Sequence, residues 1–238
     1  YDIAVERCKG EISDLTHAFP EVELDFVDLP NLLESDVLVI SAGKSRTSDK
    51  KRVDLFQENL KIMKTFLPFL RHYDGFILVV TNPVDALTTI LAREIGRERV
   101  LGFGSLLDTM RYRKISGRDD VWVIGEHGEH FVPIGGSDEI VESIRSENLF
   151  VIEKKGGTQF GPAKHISDTI LGLDNILTVG SVLLNGEYGL SDLAIGVPVQ
   201  IKSRRVVKVL EWNMNEWERK RFFEGAESLR NLLSDVPK

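Results

Sequence analysis

The amino-acid sequence predicts an α/β fold in which a parallel sheet flanked by helices is followed by an α+β half. Two continuous apolar runs, at residues 37–40 and 76–80, are typical of strands covered on both faces, as in parallel sheets. Between them, apolar residues recur at intervals of three and four, which predicts an amphipathic helix: Val53, Phe56, Leu60, Met63 and Leu67. Beyond about Gly102 the pattern becomes mixed, so we expect one domain over 1–102 and a second over 103–238.

The other elements of the first half are predicted in chain order. Val22, Leu24 and Phe26 alternate with polar residues, which indicates a half-buried strand. The order strand, helix, strand over residues 37–80 predicts a right-handed crossover between parallel strands. A further helix is expected over 84–95, with Gly96 as its C-terminal cap.

The second half reads differently. Residues 121–124 indicate a strand, and short mixed elements are expected to follow before a hairpin near 195–209. The spacing of the last apolar residues predicts a final amphipathic helix: Phe222, Ala226, Leu229 and Leu233.

Composition and charge exclude several classes of protein. The formal net charge is −7, from 30 basic and 37 acidic residues, which argues against nucleic-acid binding. Cys8 is the one cysteine, so no intrachain disulfide can form, and a reducing, cytoplasmic setting is expected. No apolar run approaches the roughly 18 residues of a membrane-spanning helix, so no membrane partner is expected.

The segment Ala42-Gly43-Lys44-Ser45 follows a predicted strand and is similar to the end of a phosphate-binding P-loop. That loop needs a glycine five residues before Gly43, where this chain has Leu38. A nucleoside triphosphatase is therefore rejected.

The segment 125–130, Gly-Glu-His-Gly-Glu-His, follows another predicted strand and leaves three interpretations open. It could be an exposed polar turn, or a metal site using His127 and His130, although the spacing of common zinc sites is absent. The third interpretation is a catalytic acid/base, because histidine titrates near neutral pH.

Two charged segments also have both a structural and a functional interpretation. Asp108 and Arg111 are three residues apart, so on a helix they share a face. They could form a surface ion pair, or Asp108 could orient a histidine while Arg111 binds a carboxylate. The basic segment 44–52 is either a solvated loop or a lid that closes over substrate.

Taken in order, these motifs resemble the lactate/malate dehydrogenase family, nearest to its lactate-dehydrogenase-like malate dehydrogenases. The similarity runs from residue 2 to about residue 200. It rests on these segments: Asp2-Ile3, Ser41-Ala42-Gly43, Thr81-Asn82-Pro83-Val84-Asp85, Leu107-Asp108-Thr109-Met110-Arg111, Gly125-Glu126-His127-Gly128, Lys155-Gly156-Gly157-Thr158 and Gly186-Glu187-Tyr188-Gly189.

The resemblance implies a Rossmann-type NAD-binding domain followed by a catalytic, substrate-binding domain. Asp2 stands where the family binds the adenine ribose hydroxyls, and a carboxylate there favours NAD over NADP. The other positions implied to contact NAD are Ala42, Gly43, Asn59, Val80, Thr81 and Asn82.

For catalysis, the resemblance implies that His127 exchanges a proton with the substrate oxygen and that Asp108 holds the imidazole. Arg111 is implied to bind the C1 carboxylate, and Arg52 to polarise the carbonyl from a closing loop. Asn82 and Thr158 are further implied substrate contacts. No metal is expected.

Arg46 stands at the position that sets substrate specificity. An arginine there suits a second carboxylate, so the expected substrates are malate and oxaloacetate, with discrimination against pyruvate of at least about tenfold to a hundredfold. Lactate or another 2-ketoacid remains the alternative.

The sequence departs from the family pattern in three respects. No G-x-G-x-x-G occurs, and several spans are short (113–121, 136–150, 170–177 and 202–206), so we expect that segments of a longer chain are absent. Ser48-Asp49 replace a usual Pro-Gly, which puts hinge behaviour in question. His130 replaces a small residue and is expected to face solvent. A non-catalytic scaffold stays open, and the family suggests a homo-oligomer, with a tetramer favoured.

Overall fold

The computed structural model describes residues 1–45 and 51–234, and its first half is organised around three parallel strands. These strands are β1 (Val37–Ile40), β2 (Phe76–Val79) and β3 (Val100–Gly102). β1 and β2 pair in parallel, with Val37 opposite Phe76, and β2 pairs in parallel with β3. The prediction of two parallel strands joined through a helix is therefore confirmed.

Antiparallel strands extend the same sheet. They are β4 (Val123–Gly125), β5 (Phe131–Pro133), β6 (Asn175–Asn185), β7 (Ser191–Lys202) and β8 (Arg205–Val209). Over the described ranges, the strand order is β1-β2-β3-β6-β7-β4-β5, and β8 pairs with β7. The α/β class with a mixed second half is thus confirmed.

The helices of the described residues carry several of the predicted site residues. They are α1 (Val5–Ala18), α2 (Arg52–Leu70), α3 (Val84–Ile95), α4 (Ser105–Ser116), α5 (Asp138–Lys155), α6 (Phe160–Gly172) and α7 (Glu216–Ser234). The predicted helices between the strands, over 84–95 and at the C-terminal end are all confirmed. Gly96 follows α3 with a φ of 105°, the positive φ that suits glycine at a helix end. None of the helices in residues 1–45 and 51–234 has the length and apolar character to cross a membrane.

Three predictions about the strands need correction. The strand expected at 22–26 does not form: among the described residues this segment pairs with no other strand, so its alternating pattern has no sheet to join. β1 is not covered on both faces: Val39 is 40% exposed, as its position at the sheet edge allows. The strand expected at 121–124 begins at Val123.

The region between β5 and β7 is more regular than expected. Instead of short mixed elements, it forms the 18-residue α5, the 13-residue α6 and the 11-residue β6. The predicted hairpin near 195–209 is confirmed as β7 and β8, joined by Ser203 and Arg204. Of the four spans that we considered short, 113–121 covers the end of α4 and the loop before β4, and the other three lie in α5, α6, β6, β7 and β8 or in the turns next to them.

The packing of β1, β2 and α7 fixes the parts of the chain that carry the predicted site residues. β1 and β2 end side by side, as parallel neighbours must. α7 joins the two largest apolar clusters, since Phe222 and Leu229 lie in the cluster around β6 and β7, and Leu232 lies in the cluster around β2 and α3. Gly225 on α7 lies against Glu126 and His130, so this packing supports the loop that follows β4.

Candidate active site

His127 lies in the loop after β4 and faces the first turns of α4. Its Nδ1 is 2.6 Å from Asp108 Oδ2, and Arg111 Nη1 donates to Asp108 Oδ1 at 3.0 Å. The carboxylate is almost wholly buried, at 1% exposure. A side chain at Gly104 would meet the imidazole, since its Cβ would lie 2.6 Å from His127 Cγ. The predicted triplet of histidine, aspartate and arginine is therefore brought together.

Buried charges set the protonation of this triplet. Burial alone would raise the pKa of Asp108, but His127 and Arg111 outweigh it and hold that pKa below its ordinary value. Burial alone would lower the pKa of His127, but the charge and hydrogen bond of Asp108 outweigh it and raise that pKa. Since Asp108 occupies Nδ1, Nε2 is the nitrogen left to exchange a proton with a bound molecule.

Arg52 begins α2 and reaches the same loop from the other side. Its Nη2 donates to Oε1 of Glu126, a carboxylate with no exposed surface. Glu126 Oε2 accepts hydrogen bonds from the backbone N–H of Glu129 and from the backbone and ring of His130. Burial would raise the pKa of Glu126, but the His130 hydrogen bond and the Arg52 charge lower it to about 2. The expectation that His130 faces solvent was wrong, because its ring bonds this carboxylate.

A third carboxylate, Asp85, supports the backbone of the catalytic loop. Asp85 Oδ2 accepts from the His127 backbone N–H at 2.8 Å, and the side chain lies in the first turn of α3. Burial and the negative charge of Glu126 raise the pKa of Asp85 to about 6. Sequence reasoning assigned no role to Asp85 or Glu126, although both lie inside motifs that carried the resemblance.

Most of the predicted coenzyme contacts form one hydrogen-bonded cluster at the carboxyl ends of β1 and β2. The Asn59 side chain accepts from Lys44 N at 2.7 Å and donates to Asn82 O at 2.7 Å. The Thr81 hydroxyl donates to Ala42 O at 2.9 Å. These bonds join α2 to both strand ends and leave the Ala42 and Asn82 surfaces exposed.

Of the other predicted coenzyme positions, two belong to this cluster and one does not. Gly43 lies against Thr81 and Asn59, and Val80 N donates to Ile40 O. Asp2 lies before α1, where its Oδ1 accepts from Ala4 N at 2.8 Å, and the bonds of the described residues do not connect it to the cluster.

Arg111 and Thr158 line a common pocket of about 240 Å³, together with Leu107, Met110 and His165. Thr158 and Arg111, both expected to contact substrate, thus lie around the same pocket. Arg46 and the hinge residues Ser48-Asp49 lie outside the described residues. A larger cavity of about 380 Å³, next to Tyr188 and Trp212, contains none of the predicted site residues.

The metal interpretation of the two histidines receives no support from the described part of the chain. His127 and His130 bond different carboxylates, Asp108 and Glu126. Residues 1–45 and 51–234 contain no group of three or more His, Cys, Asp or Glu side chains that could hold a metal ion.

Comparison with known proteins gives the family. The sequence model described as "lactate/malate dehydrogenase, NAD binding domain" matches residues 1–102, and "lactate/malate dehydrogenase, alpha/beta C-terminal domain" matches residues 135–238. The chain belongs to the lactate/malate dehydrogenase family. It contains an NAD-binding domain and is an oxidoreductase of the NAD-dependent type.

Individual relatives carry both names of the family. The chain is 36% identical to the malate dehydrogenase of Halobacterium salinarum, over 97% of this chain and 87% of that protein. It is 30% identical to L-lactate dehydrogenase 1 of Listeria monocytogenes, over 100% of this chain and 88% of that protein. Among solved structures, it is similar to the malate dehydrogenase of Archaeoglobus fulgidus in complex with NADH, with a TM-score of 0.86, 29% identity and coverage of 95% and 86%.

The cluster at the ends of β1 and β2 fits part of a dinucleotide site. Open α/β sheets bind ligands in the crevice outside the carboxyl ends of their parallel strands. Ala42, Gly43 and Asn82 are exposed there, and the side chains of Asn59 and Thr81 bond the carbonyl oxygens of Asn82 and Ala42. The open side of this cluster therefore remains accessible at the sheet edge where such ligands bind.

Proposed function

We propose that the chain catalyses the reversible NAD-dependent oxidation of (S)-malate to oxaloacetate. The observation that carries the proposal is the buried arrangement of His127, Asp108 and Arg111. It combines an acid/base held at one nitrogen with a guanidinium suited to a substrate carboxylate. The malate dehydrogenases of Halobacterium salinarum and Methanosphaera stadtmanae, 36% and 32% identical to the chain, support malate.

In the oxidation direction, His127 accepts the hydroxyl proton of malate at Nε2 as C2 loses a hydride and the C–O bond becomes a carbonyl. Bound NAD supplies the acceptor of that hydride. Asp108 stabilises the imidazolium that forms, because its carboxylate stays ionised beside Nδ1. In the reduction direction, the same imidazolium returns its proton to the oxygen of oxaloacetate.

The remaining residues bind and orient the substrate and NAD. Arg111 binds the C1 carboxylate next to Thr158, and Arg52 polarises the carbonyl, with Asn82 as a further contact. Arg46 binds the second carboxylate and so selects a dicarboxylate. The residues proposed to hold NAD are Asp2, Ala42, Gly43, Asn59, Val80, Thr81 and Asn82.

The second candidate substrate is lactate, or another 2-hydroxy acid with one carboxylate. The Listeria L-lactate dehydrogenase favours it, since that protein matches the whole chain at 30% identity. Arg46 argues against it, because an arginine left without a partner in a closed site is unfavourable.

The proposal also covers the cellular location, the pathway and the assembly of the enzyme. We place the enzyme in the cytoplasm, as a step of the tricarboxylic acid cycle, and in a homo-oligomer, with a tetramer favoured. α1 supports self-association, since it has no buried side chain and exposes Val5 and Leu15.

The test is NADH oxidation with oxaloacetate and with pyruvate, using protein of confirmed mass. We expect oxaloacetate to be preferred by at least about tenfold in kcat/KM, and Arg46→Gln to remove most of that preference. Lys50→Gln is the matched control, because it removes a positive charge from the same segment without touching the specificity position. Equal turnover of both substrates by the unaltered chain would contradict malate, and no turnover of either by a 26.8 kDa protein would favour the scaffold.

A further inference from the structure

Glu126 is a fully buried carboxylate that the proposed chemistry does not use. It lies between the end of β4 and His127, and none of its surface is exposed. A buried carboxylate is unfavourable unless it is paired and hydrogen-bonded. Its partners therefore indicate what the residue does.

The two oxygens of Glu126 have different partners. Oε2 accepts three hydrogen bonds within its own loop, from Glu129 N at 3.1 Å and from His130 N and Nδ1, each at 3.0 Å. These donors fix the carboxylate in one orientation. Oε1 is thereby left to receive the guanidinium of Arg52, which comes from the start of α2.

The pairing brings Arg52 to the chain neighbour of His127. A guanidinium has five N–H donors in a fixed plane, so one bond to Oε1 leaves others for a substrate oxygen. The side chain is 26% exposed and so remains partly accessible. A cation placed before the reaction stabilises developing charge without a cost of reorganisation at that moment.

We propose that Glu126 is a positioning residue that holds the Arg52 guanidinium beside His127 before substrate binds. His130 takes part by donating to the other oxygen of the same carboxylate. The inference rests on the proposed function, since it assigns to Glu126 the placement of the arginine that polarises the substrate carbonyl.

Chemical rescue tests the proposal. Arg52→Ala should lose most of its oxaloacetate reduction and regain part of it with guanidinium at roughly 0.1 M, far below the molar range that unfolds proteins. Glu126 should bind the added cation, so Arg52→Ala/Glu126→Gln should need about tenfold more guanidinium for half-maximal rescue. Equal rescue in the presence and absence of the Glu126 carboxylate would overturn the proposal.

Two controls separate positioning from a general defect. Arg111→Ala removes a different guanidinium, one that bonds Asp108. The guanidinium concentration for half-maximal rescue of Arg111→Ala should therefore be the same with and without Glu126→Gln. Glu126→Asp keeps the charge on a shorter side chain and should retain part of the rescue of Arg52→Ala. If Glu126→Gln does not fold, the comparison is made with Glu126→Asp, and unchanged half-maximal rescue there counts against the proposal.

A double-mutant cycle examines the contact without any enzyme assay. Unfolding in urea of the unaltered chain, Arg52→Ala, Glu126→Gln and the double variant should show a coupling of about tenfold or more in the unfolding equilibrium constant. Absence of coupling contradicts the inference even if oxaloacetate is turned over. Coupling without turnover means that the proposed function fails while the contact stands.

Discussion

The two halves of the candidate site are built with different chemistry. At the ends of β1 and β2, uncharged groups hold the chain: Asn59 and Thr81 bond backbone atoms of Ala42, Lys44 and Asn82. Around the loop after β4, buried charged pairs hold the chain instead: Asp108 pairs with His127, and Glu126 pairs with Arg52. The first half is held together by neutral hydrogen bonds, and the second contains groups that exchange protons and carry charge.

This difference predicts how each half responds to change. Hydrogen bonds between neutral groups do not titrate over the working pH range, so the strand ends should respond mainly to shape. Buried charges exchange protons and leave unpaired partners when one member is removed. The loop after β4 should therefore respond to pH and to loss of charge, with larger effects on activity.

The largest effect is expected for Asp108→Asn. Loss of the carboxylate removes the attraction that raises the pKa of His127 and the group that stabilises its imidazolium. We expect kcat for malate oxidation to fall by about a thousandfold. Oxidation needs the neutral imidazole, so the pH at which the residual rate rises should move to lower values.

The control for this change is Asp120→Asn, which removes an exposed carboxylate paired with Arg118 just beyond α4. Its kcat should stay within about twofold of that of the unaltered chain. If Asp108→Asn keeps nearly full activity, the contrast between the two halves of the site does not hold.

The sequence was informative where a pattern is local. The periodicity of α2, α3 and α7 reflects burial of one helix face, and the glycine after α3 marks a positive φ. The alternation at 22–26 misled because a strand also needs a neighbour, which spacing within the segment cannot reveal. The helical α5 was missed for a related reason, since only Val141 and Ile144 of its 18 residues are buried.

The same distinction holds in the candidate site. Residue type and spacing were enough to predict the chemistry of the short motifs that contain His127, Asp108 and Arg111. The structure brings these three side chains together. The contact between Arg52 and Glu126 joins residues 74 positions apart. Asp85 meets His127 across 42 positions. Such pairings depend on how α2 and α3 pack against the loop after β4, so no local sequence pattern predicts them.

The next largest effect is expected for Asp85→Asn, and it concerns the free energy of unfolding rather than the reaction rate. Its pKa rises from 3.8 unfolded to about 6 folded, so the folded state binds its proton more tightly. The associated stability is complete below about pH 4 and is lost as pH rises through 6, by about 3 kcal/mol in total. Asp85→Asn keeps an oxygen for His127 N but does not titrate, so its stability relative to the unaltered chain should rise over that interval.

Urea unfolding at pH 4, 5, 6 and 7 measures this difference, and a second series from pH 4.5 down to pH 2 measures the opposite dependence expected for Glu126→Gln. The pKa of Glu126 falls to about 2, so its carboxylate contributes stability above about pH 4.5 that is lost as pH falls towards 2. Glu126→Gln should therefore be destabilised at neutral pH. A relative stability of Asp85→Asn that stays constant from pH 4 to 7 would show that Asp85 does not carry a raised pKa.

The smallest effect is expected at the strand ends, with Gly43→Ala. A Cβ there would lie 2.4 Å from Thr81 Cγ2 and 3.0 Å from Asn59 Oδ1, so the side chain of Thr81 must move. Overpacking of this kind costs about 1–3 kcal/mol. Thr81→Ser removes the methyl group and keeps the hydroxyl that bonds Ala42, so the double variant should recover most of the loss.

Urea unfolding of these variants at pH 5 and pH 8 completes the comparison between the two halves. Gly10→Ala is the control, because a Cβ on that glycine of α1 would meet nothing within 4 Å. The loss in Gly43→Ala should be equal at the two pH values, since only neutral groups are displaced. A loss that changes with pH, or that Thr81→Ser does not relieve, would mean that the strand ends are coupled to the buried charges after all.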